Sequence, residues 1–182
     1  LFSDLPISDY SKRALKQAGF VKMTAIQRAA VLHALAGRDV LGAAQTGSGK
    51  TLAFLVPAVE LLFRERWSTD DGLGVIIITP TRELAMQVFE VLRVLVKCHR
   101  ELTAALLTGG KDADEEAKNV YSMTMLVATP GRLLHHIERT PGFDASNLKM
   151  LVLDEADRIL DMGFKEELDS ILDGLPPGSS RQ

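Results

Sequence analysis

Ala44-Gln45-Thr46-Gly47-Ser48-Gly49-Lys50-Thr51 lies between a short apolar run, Asp39-Val40-Leu41-Gly42, and a helical pattern from Lys50 to about Arg66. Its spacing fits the phosphate-binding pattern G-x-x-x-x-G-K-[ST], with alanine at the first position. Glycines let the backbone curl so that several amide hydrogens converge on an anion beside a helix N-terminus. On this reading Thr46, Gly47, Ser48 and Gly49 form the cradle and Lys50 reaches the β- and γ-phosphates. The Thr51 hydroxyl is then a ligand for Mg2+. A strand that enters a glycine-rich turn and leaves as a helix predicts an α/β domain of the phosphate-loop type.

The rest of the chain repeats that alternation. Apolar runs at Gly74–Thr79, Thr103–Leu107, Met125–Ala128 and Met150–Leu153 read as further strands, making five with Asp39–Gly42. Between them, Leu84, Val88, Val91, Leu92, Leu95 and Val96 recur at helical spacing, and Leu133, Leu134 and Ile137 follow a helix start at Thr129-Pro130. Asp112 with Glu115 three residues later suits a capping box. Pro57, inside the first helical pattern, is expected to kink or interrupt it. Strands separated by helices predict right-handed crossovers and a mainly parallel sheet covered on both faces.

Composition narrows the class. The chain has 182 residues, 46% apolar and 25% charged, which suits a single globular domain. No apolar run approaches the ~20 residues of a membrane helix, so a membrane role is not expected. The start, "LFSDLPISDY", lacks a basic segment followed by an apolar one. Cys98 is the lone cysteine, which suits a reducing, intracellular setting and leaves no cysteine-based zinc site. The net charge of −3 argues against bulk electrostatic binding of nucleic acid, but not against a local patch of amides and arginines.

"MLVLDEAD", residues 150–157, runs four apolar residues into three acids. In an open parallel sheet, ligands bind beyond the carboxyl ends of the strands, so Asp154 and Glu155 reach the same edge as the phosphate loop. An acid pair before a helix is ordinarily a match to the helix dipole. With the loop upstream, Asp154 suits the Mg2+ shell beside Thr51, and Glu155 suits polarising an attacking water. Lys50, Asp154 and Glu155 are the candidate catalytic residues.

"AAQTGSGKT", "PTRELA", "TPGR" and "VLDEAD" occur in the order found in DEAD-box RNA helicases, and the resemblance covers nearly the whole chain. It implies a RecA-like three-layer sandwich, residues 1–182, acting as the amino-terminal ATP-binding domain of an RNA-dependent ATPase. "GFVKMTAIQ", Gly19 to Gln27, resembles the family's Q motif within a segment 1–27, with Met23 where proline is usual and Phe2 as the isolated upstream aromatic. There Gln27 would read adenine through its amide, and Phe20 would offer a stacking face. By the same resemblance Pro80, Thr81, Arg82, Gly109, Gly110, Thr129, Pro130, Gly131 and Arg132 line an RNA track. Such groups hold phosphates and sugars, so binding would be independent of sequence. Glu83 is expected to position Arg82.

The resemblance also implies a strand carrying Ser-Ala-Thr after "PPGSSRQ", whose hydroxyls partner Asp157, and a second RecA-like domain supplying arginine fingers. Without these the isolated chain is expected to bind ATP and Mg2+ weakly, turn ATP over negligibly and unwind nothing. "RERWSTDDGLG" and Met23-Thr24 resemble DEAD-box proteins of nucleolar ribosome assembly, implying a nuclear, nucleolar setting and pre-ribosomal protein partners. Competing readings are another phosphate-loop NTPase, which the lack of Asn-Lys-x-Asp and Leu-Ser-Gly-Gly-Gln disfavours, and a non-catalytic scaffold. His135-His136 point to different helix faces and make a poor metal pair. Asp112, Asp114, Glu115 and Glu116 read as a solvated helix face, and Trp67 as a loop anchor.

Overall fold

The computed structural model describes residues 1–110 and 113–182. Four strands, β1 (Val75–Ile78), β2 (Ala104–Leu107), β3 (Met125–Ala128) and β4 (Met150–Leu153), form one parallel sheet in the order β2-β3-β1-β4. The helices are α1 (Asp9–Gln17), α2 (Ala25–Leu35), α3 (Lys50–Arg64), α4 (Arg82–Val96), α5 (Ala113–Val120), α6 (Pro130–Arg139), α7 (Ala156–Asp161) and α8 (Lys165–Asp173).

Alternation along the strands divides the core into two layers. Val75, Ile77, Met125, Val127 and Met150 point to one face, where they meet Leu15, Val31, Leu55, Val59, Val88 and Leu92 from α1 to α4. Ile76, Ile78, Leu126 and Ala128 point to the other and meet Leu133, Ile159, Leu168 and Ile171 from α6 to α8. A strand buried on both faces must be apolar at every position, which is why β1 reads Val-Ile-Ile-Ile. The sandwich is the three-layer arrangement expected.

Helix starts follow local chemistry. Thr81 caps α4 by accepting from the Leu84 amide at 3.3 Å, and Ser8 caps α1 by accepting from the Ser11 amide at 3.2 Å. Pro130 occupies the first turn of α6, where its missing N–H is no loss. Trp67 is buried and donates to the Gly72 carbonyl at 2.8 Å, anchoring its loop as expected.

Several expectations are corrected. Asp39–Gly42 is not a strand: Leu41 is 100% exposed, and no strand lies beside it. A strand exists only where a partner completes its hydrogen bonds, and none of the four reaches this segment. Pro57 does not interrupt α3, which runs from Lys50 to Arg64 with Pro57 buried. Glu116 is not solvated but 8% exposed. The proposed Asp112 cap lies outside the described residues.

Candidate nucleotide site and nucleic-acid face

Because the sheet is parallel, all four strands end at one edge, and the segments that follow them meet there. The ladder extends one residue past the strands, with the amides of Thr79, Thr129 and Asp154 donating to Ala128, Leu107 and Ile78 at 2.9, 3.2 and 2.9 Å. Those bonds fix where Pro80-Thr81, Pro130 and Glu155 begin.

The phosphate-type loop reaches α3 through two left-handed glycines, Gly47 at φ 79° and Gly49 at φ 91°. Gly49 is confined as well: a Cβ there would lie 2.5 Å from Gln27 Nε2. Gln27, 3% exposed, accepts from the Thr24 amide at 2.8 Å and donates to the Gly49 carbonyl at 2.9 Å. Its amide therefore ties the start of α2 to the loop. Those two bonds use one donor and one acceptor site, leaving one of each for a ligand. Arg28 donates to the Met23 carbonyl at 2.7 Å, bracing the turn where proline is absent. Phe20, Gln27, Gly49 and Thr51 border a single recess of about 240 Å3, which Phe2, Lys22, Thr24, Leu52 and Val91 complete.

Lys50 folds back and donates to the carbonyls of Ala44 and Gln45, the latter at 3.0 Å. Thr46 and Gly47 are exposed, whereas the Ser48 hydroxyl is buried without a hydrogen-bond partner. A buried hydroxyl left unsatisfied costs about 1–3 kcal/mol unless something absent completes it.

Asp154 follows β4 and is half-buried. Burial pushes its carboxyl above the usual range, the charge of Glu155 adds to this, and the charge of Lys50 opposes it. Glu155 has φ 50° and ψ 50°, a left-handed conformation rare for a non-glycine residue, and its carboxylate accepts from Arg158 at 3.2 Å. Strained positions of that kind concentrate at functional sites. A crowded acid pair within reach of a lysine charge, and an orphaned hydroxyl on the glycine-rich loop, fit a bound phosphate with a divalent cation. Asp157 is exposed on α7.

A second cluster gathers along the same edge. The Arg82 guanidinium lies over the Gly109-Gly110 backbone, and a Cβ on either glycine would come within 2.8 Å of it. Gly110, at φ 92°, also occupies the left-handed region that favours glycine. Pro80 is buried, Thr81 is spent on the α4 cap, and Gly131 is exposed. Arg132, 13% exposed, donates from Nε to Glu116 at 2.7 Å. Among the described residues Glu83 makes no ion pair with Arg82 and sits as an acid in the first turn of α4. Sequence reasoning missed Glu116, Thr108 and His136. One signal was present: Glu116 lies four residues before Val120, on the buried side of α5.

Strands all running one way, helices on both faces and a glycine-lysine-threonine loop at the carboxyl edge make this a RecA-like domain of the phosphate-loop class. The crystal structure of a DEAD box protein from the hyperthermophile Methanococcus jannaschii superposes with a TM-score of 0.87 at 37% identity, covering 96% of this chain and 47% of that one. Residues 24–182 match the description DEAD/DEAH box helicase, and the chain belongs to that family. "Probable ATP-dependent RNA helicase ddx10" of Dictyostelium discoideum is 55% identical over 175 residues, 96% of this chain and 20% of the relative. "ATP-dependent RNA helicase DBP4" of Kluyveromyces lactis is 55% identical over 182 residues, 100% of this chain and 23% of the relative. The chain spans about a fifth to a quarter of the length of the curated relatives it matches. No described helix is long and apolar enough to cross a membrane.

Proposed function

We propose that residues 1–182 are the amino-terminal ATP-binding domain of an RNA-dependent ATPase of the DEAD-box type, acting with a second RecA-like domain. The observation that carries this reading is the bond from Gln27 to the Gly49 carbonyl, which makes the base recess and the phosphate loop one continuous feature. Phe20 stacks on the base, and Gln27 reads it with the donor and acceptor it has left. Lys50 leaves the Ala44 and Gln45 carbonyls to meet the phosphates, and Ser48 gains the partner it lacks.

Thr51 and Asp154 would hold Mg2+, which when bound would offset the negative charge of the phosphates. Glu155 orients and polarises the attacking water. Arg82, Gly109, Gly110, Thr129, Gly131 and Arg132 face the RNA backbone, with Thr81 and Pro80 setting the start of α4. Asp157 couples the site to the Ser-Ala-Thr strand expected after Gln182. The resemblance to nucleolar ribosome-assembly helicases supports a nucleolar setting with pre-ribosomal proteins as partners.

The test compares ATP with GTP binding to residues 1–182, and ATP hydrolysis with and without single-stranded RNA. ATP is expected to bind weakly and in preference to GTP, with negligible turnover, since an arginine finger alone is worth about 10³–10⁵ in rate. GTP binding as tightly as ATP would remove the adenine reading. Robust RNA-stimulated turnover by this chain alone would remove the need for a second domain.

A further inference from the structure

We infer that Glu116 is a positioning residue for the nucleic-acid face, setting both the Arg132 guanidinium and the Gly109-Gly110 turn through one buried carboxylate. The inference rests on the reading of Arg132 and that turn as RNA contacts. Glu116 stands on α5, between the loop after β2 and the first turns of α6. Its Oε2 accepts from Arg132 Nε at 2.7 Å and from His136 Nε2 at 3.1 Å, and its Oε1 accepts from the Thr108 amide at 3.4 Å. One side chain on α5 thus joins the loop after β2 to α6.

The network fixes its own protonation. A carboxylate only accepts, so His136 Nε2 must be the ring nitrogen that carries hydrogen. His136 Nδ1 lies 2.7 Å from the Thr140 hydroxyl, which donates to it when the ring is neutral. Burial lowers the His136 pKa, while the hydrogen bond and charge of Glu116 oppose that effect. The buried imidazole braces the carboxylate from beneath while Arg132 meets it from above.

A charge buried to this degree is tolerated only where its donors are all in place. Arginine recognises phosphate with a planar fork, so the plane of the guanidinium decides whether it can bind. Glu116 takes the Nε–H and so sets that plane. Thr108, held by the same carboxylate, directly precedes the two glycines on which Arg82 lies. Loss of Glu116 should release the Arg132 guanidinium and the Gly109-Gly110 turn at once, while the recess by Gln27 and Gly49 keeps its own bonds.

The test uses the intact protein and a single-stranded RNA oligomer, with affinity measured by fluorescence anisotropy across a potassium chloride series. The variants are Glu116→Ala, Glu116→Gln, Arg132→Ala and the Glu116→Ala/Arg132→Ala double substitution, each checked as folded by its melting transition. Arg132→Ala should weaken binding about tenfold, the scale of one charge-assisted contact. It should also reduce the slope of log affinity against log salt by about 0.7, the value of one single-strand phosphate.

Glu116→Ala should show a slope change at least as large, and the double variant should bind no worse than the weaker single one by more than about twofold. Glu116→Gln should keep the slope but lose about two- to fivefold in affinity, because its amide hydrogens face the Thr108 N–H. If Arg132→Ala changes neither affinity nor slope, the RNA-contact reading of Arg132 fails. If Arg132→Ala behaves as stated but the losses multiply in the double variant, the positioning role is overturned. Should Glu116→Ala not fold, an unchanged affinity in Glu116→Gln overturns it equally.

Discussion

Asp154 shows how a site residue works against the fold that carries it. Its carboxyl is held above the ordinary value of 3.8 by burial and by Glu155, with Lys50 only partly offsetting them. A carboxyl whose pKa is raised on folding binds more protons folded than unfolded, so stability falls as pH rises from about 3.8 through the raised value. The cost is present in full above that raised value. Asp154→Asn should therefore raise the melting temperature of the ligand-free chain at pH 7 by a few degrees, each kcal/mol giving roughly 2–4 °C at this size. The same change should abolish the stabilisation that Mg2+-ATP gives the wild type. Melting at pH 7 and pH 4, with and without Mg2+-ATP, checks both, and the gain should shrink at the lower pH. A variant that melts below the wild type without ligand would count against this role. Gains in stability from removing a strained functional group are a general pattern, and the left-handed Glu155 next door belongs to the same economy.

At the scale of elements, α1 is docked by a polar cluster rather than by apolar contact alone. Glu60, on α3 and 1% exposed, accepts from the Ser8 amide at 2.9 Å and from the hydroxyls of Ser8 and Ser11 at 2.6 and 2.5 Å. The Ser11 hydroxyl in turn meets His99 Nε2 at 3.0 Å, beyond the end of α4, and His99 Nδ1 is buried without a partner. Burial lowers the His99 pKa, opposed by the Glu60 charge. A histidine whose pKa is lowered on folding leaves the unfolded chain holding more protons, so stability is lost on acidification from about pH 6.5 toward the lowered value. His136 has the same sign. Urea denaturation between pH 7.5 and 5.5 should show falling stability, and His99→Gln should flatten that slope. A slope unchanged in His99→Gln would assign it elsewhere.

None of this cluster was legible in the sequence, because Ser8, Ser11, Glu60 and His99 are isolated polar residues whose meeting depends on how three helices pack. What was legible shares a different property. The β1, β3 and β4 runs and the helix start at Pro130 are all local patterns with a strong physical rule behind each. Glu116 failed for the same reason as Glu60: its neighbours in sequence are solvated acids, and its partners lie on α6 and beyond β2. Pro57 was misread because helix-breaking is a weak rule when Leu55, Val56, Ala58 and Val59 around it are fully packed.

On the scale of the whole molecule, the unformed strand at Asp39–Gly42 and the open edge of β4 are two sides of one feature. The sheet ends at β4, yet its outer edge already carries a rung: the Gln182 amide donates to the Lys149 carbonyl at 2.8 Å, and the Leu151 amide donates to the Gln182 carbonyl at 2.9 Å. The Gln182 side chain reaches across to the Ala34 carbonyl at 3.2 Å and the Arg38 carbonyl at 2.5 Å. Residues following Gln182 would thus enter between β4 and the segment 39–43, where Val40 is 44% and Leu41 100% exposed. A strand placed there would supply the ladder bonds that Asp39–Gly42 lacks and would bury Leu41, worth about 1.5–3 kcal/mol by itself. It would also carry its far end to the edge shared by Lys50, Asp154 and Asp157. Extending the chain past Gln182 by an apolar strand-forming segment should therefore raise the melting temperature by several degrees, since each kcal/mol gives roughly 2–4 °C at this size. Amide exchange at residues 39–43 should slow by at least an order of magnitude as those hydrogens enter a ladder. If residues 39–43 exchange as fast in the longer chain as in this one, the added strand lies elsewhere and the six-stranded sheet is wrong.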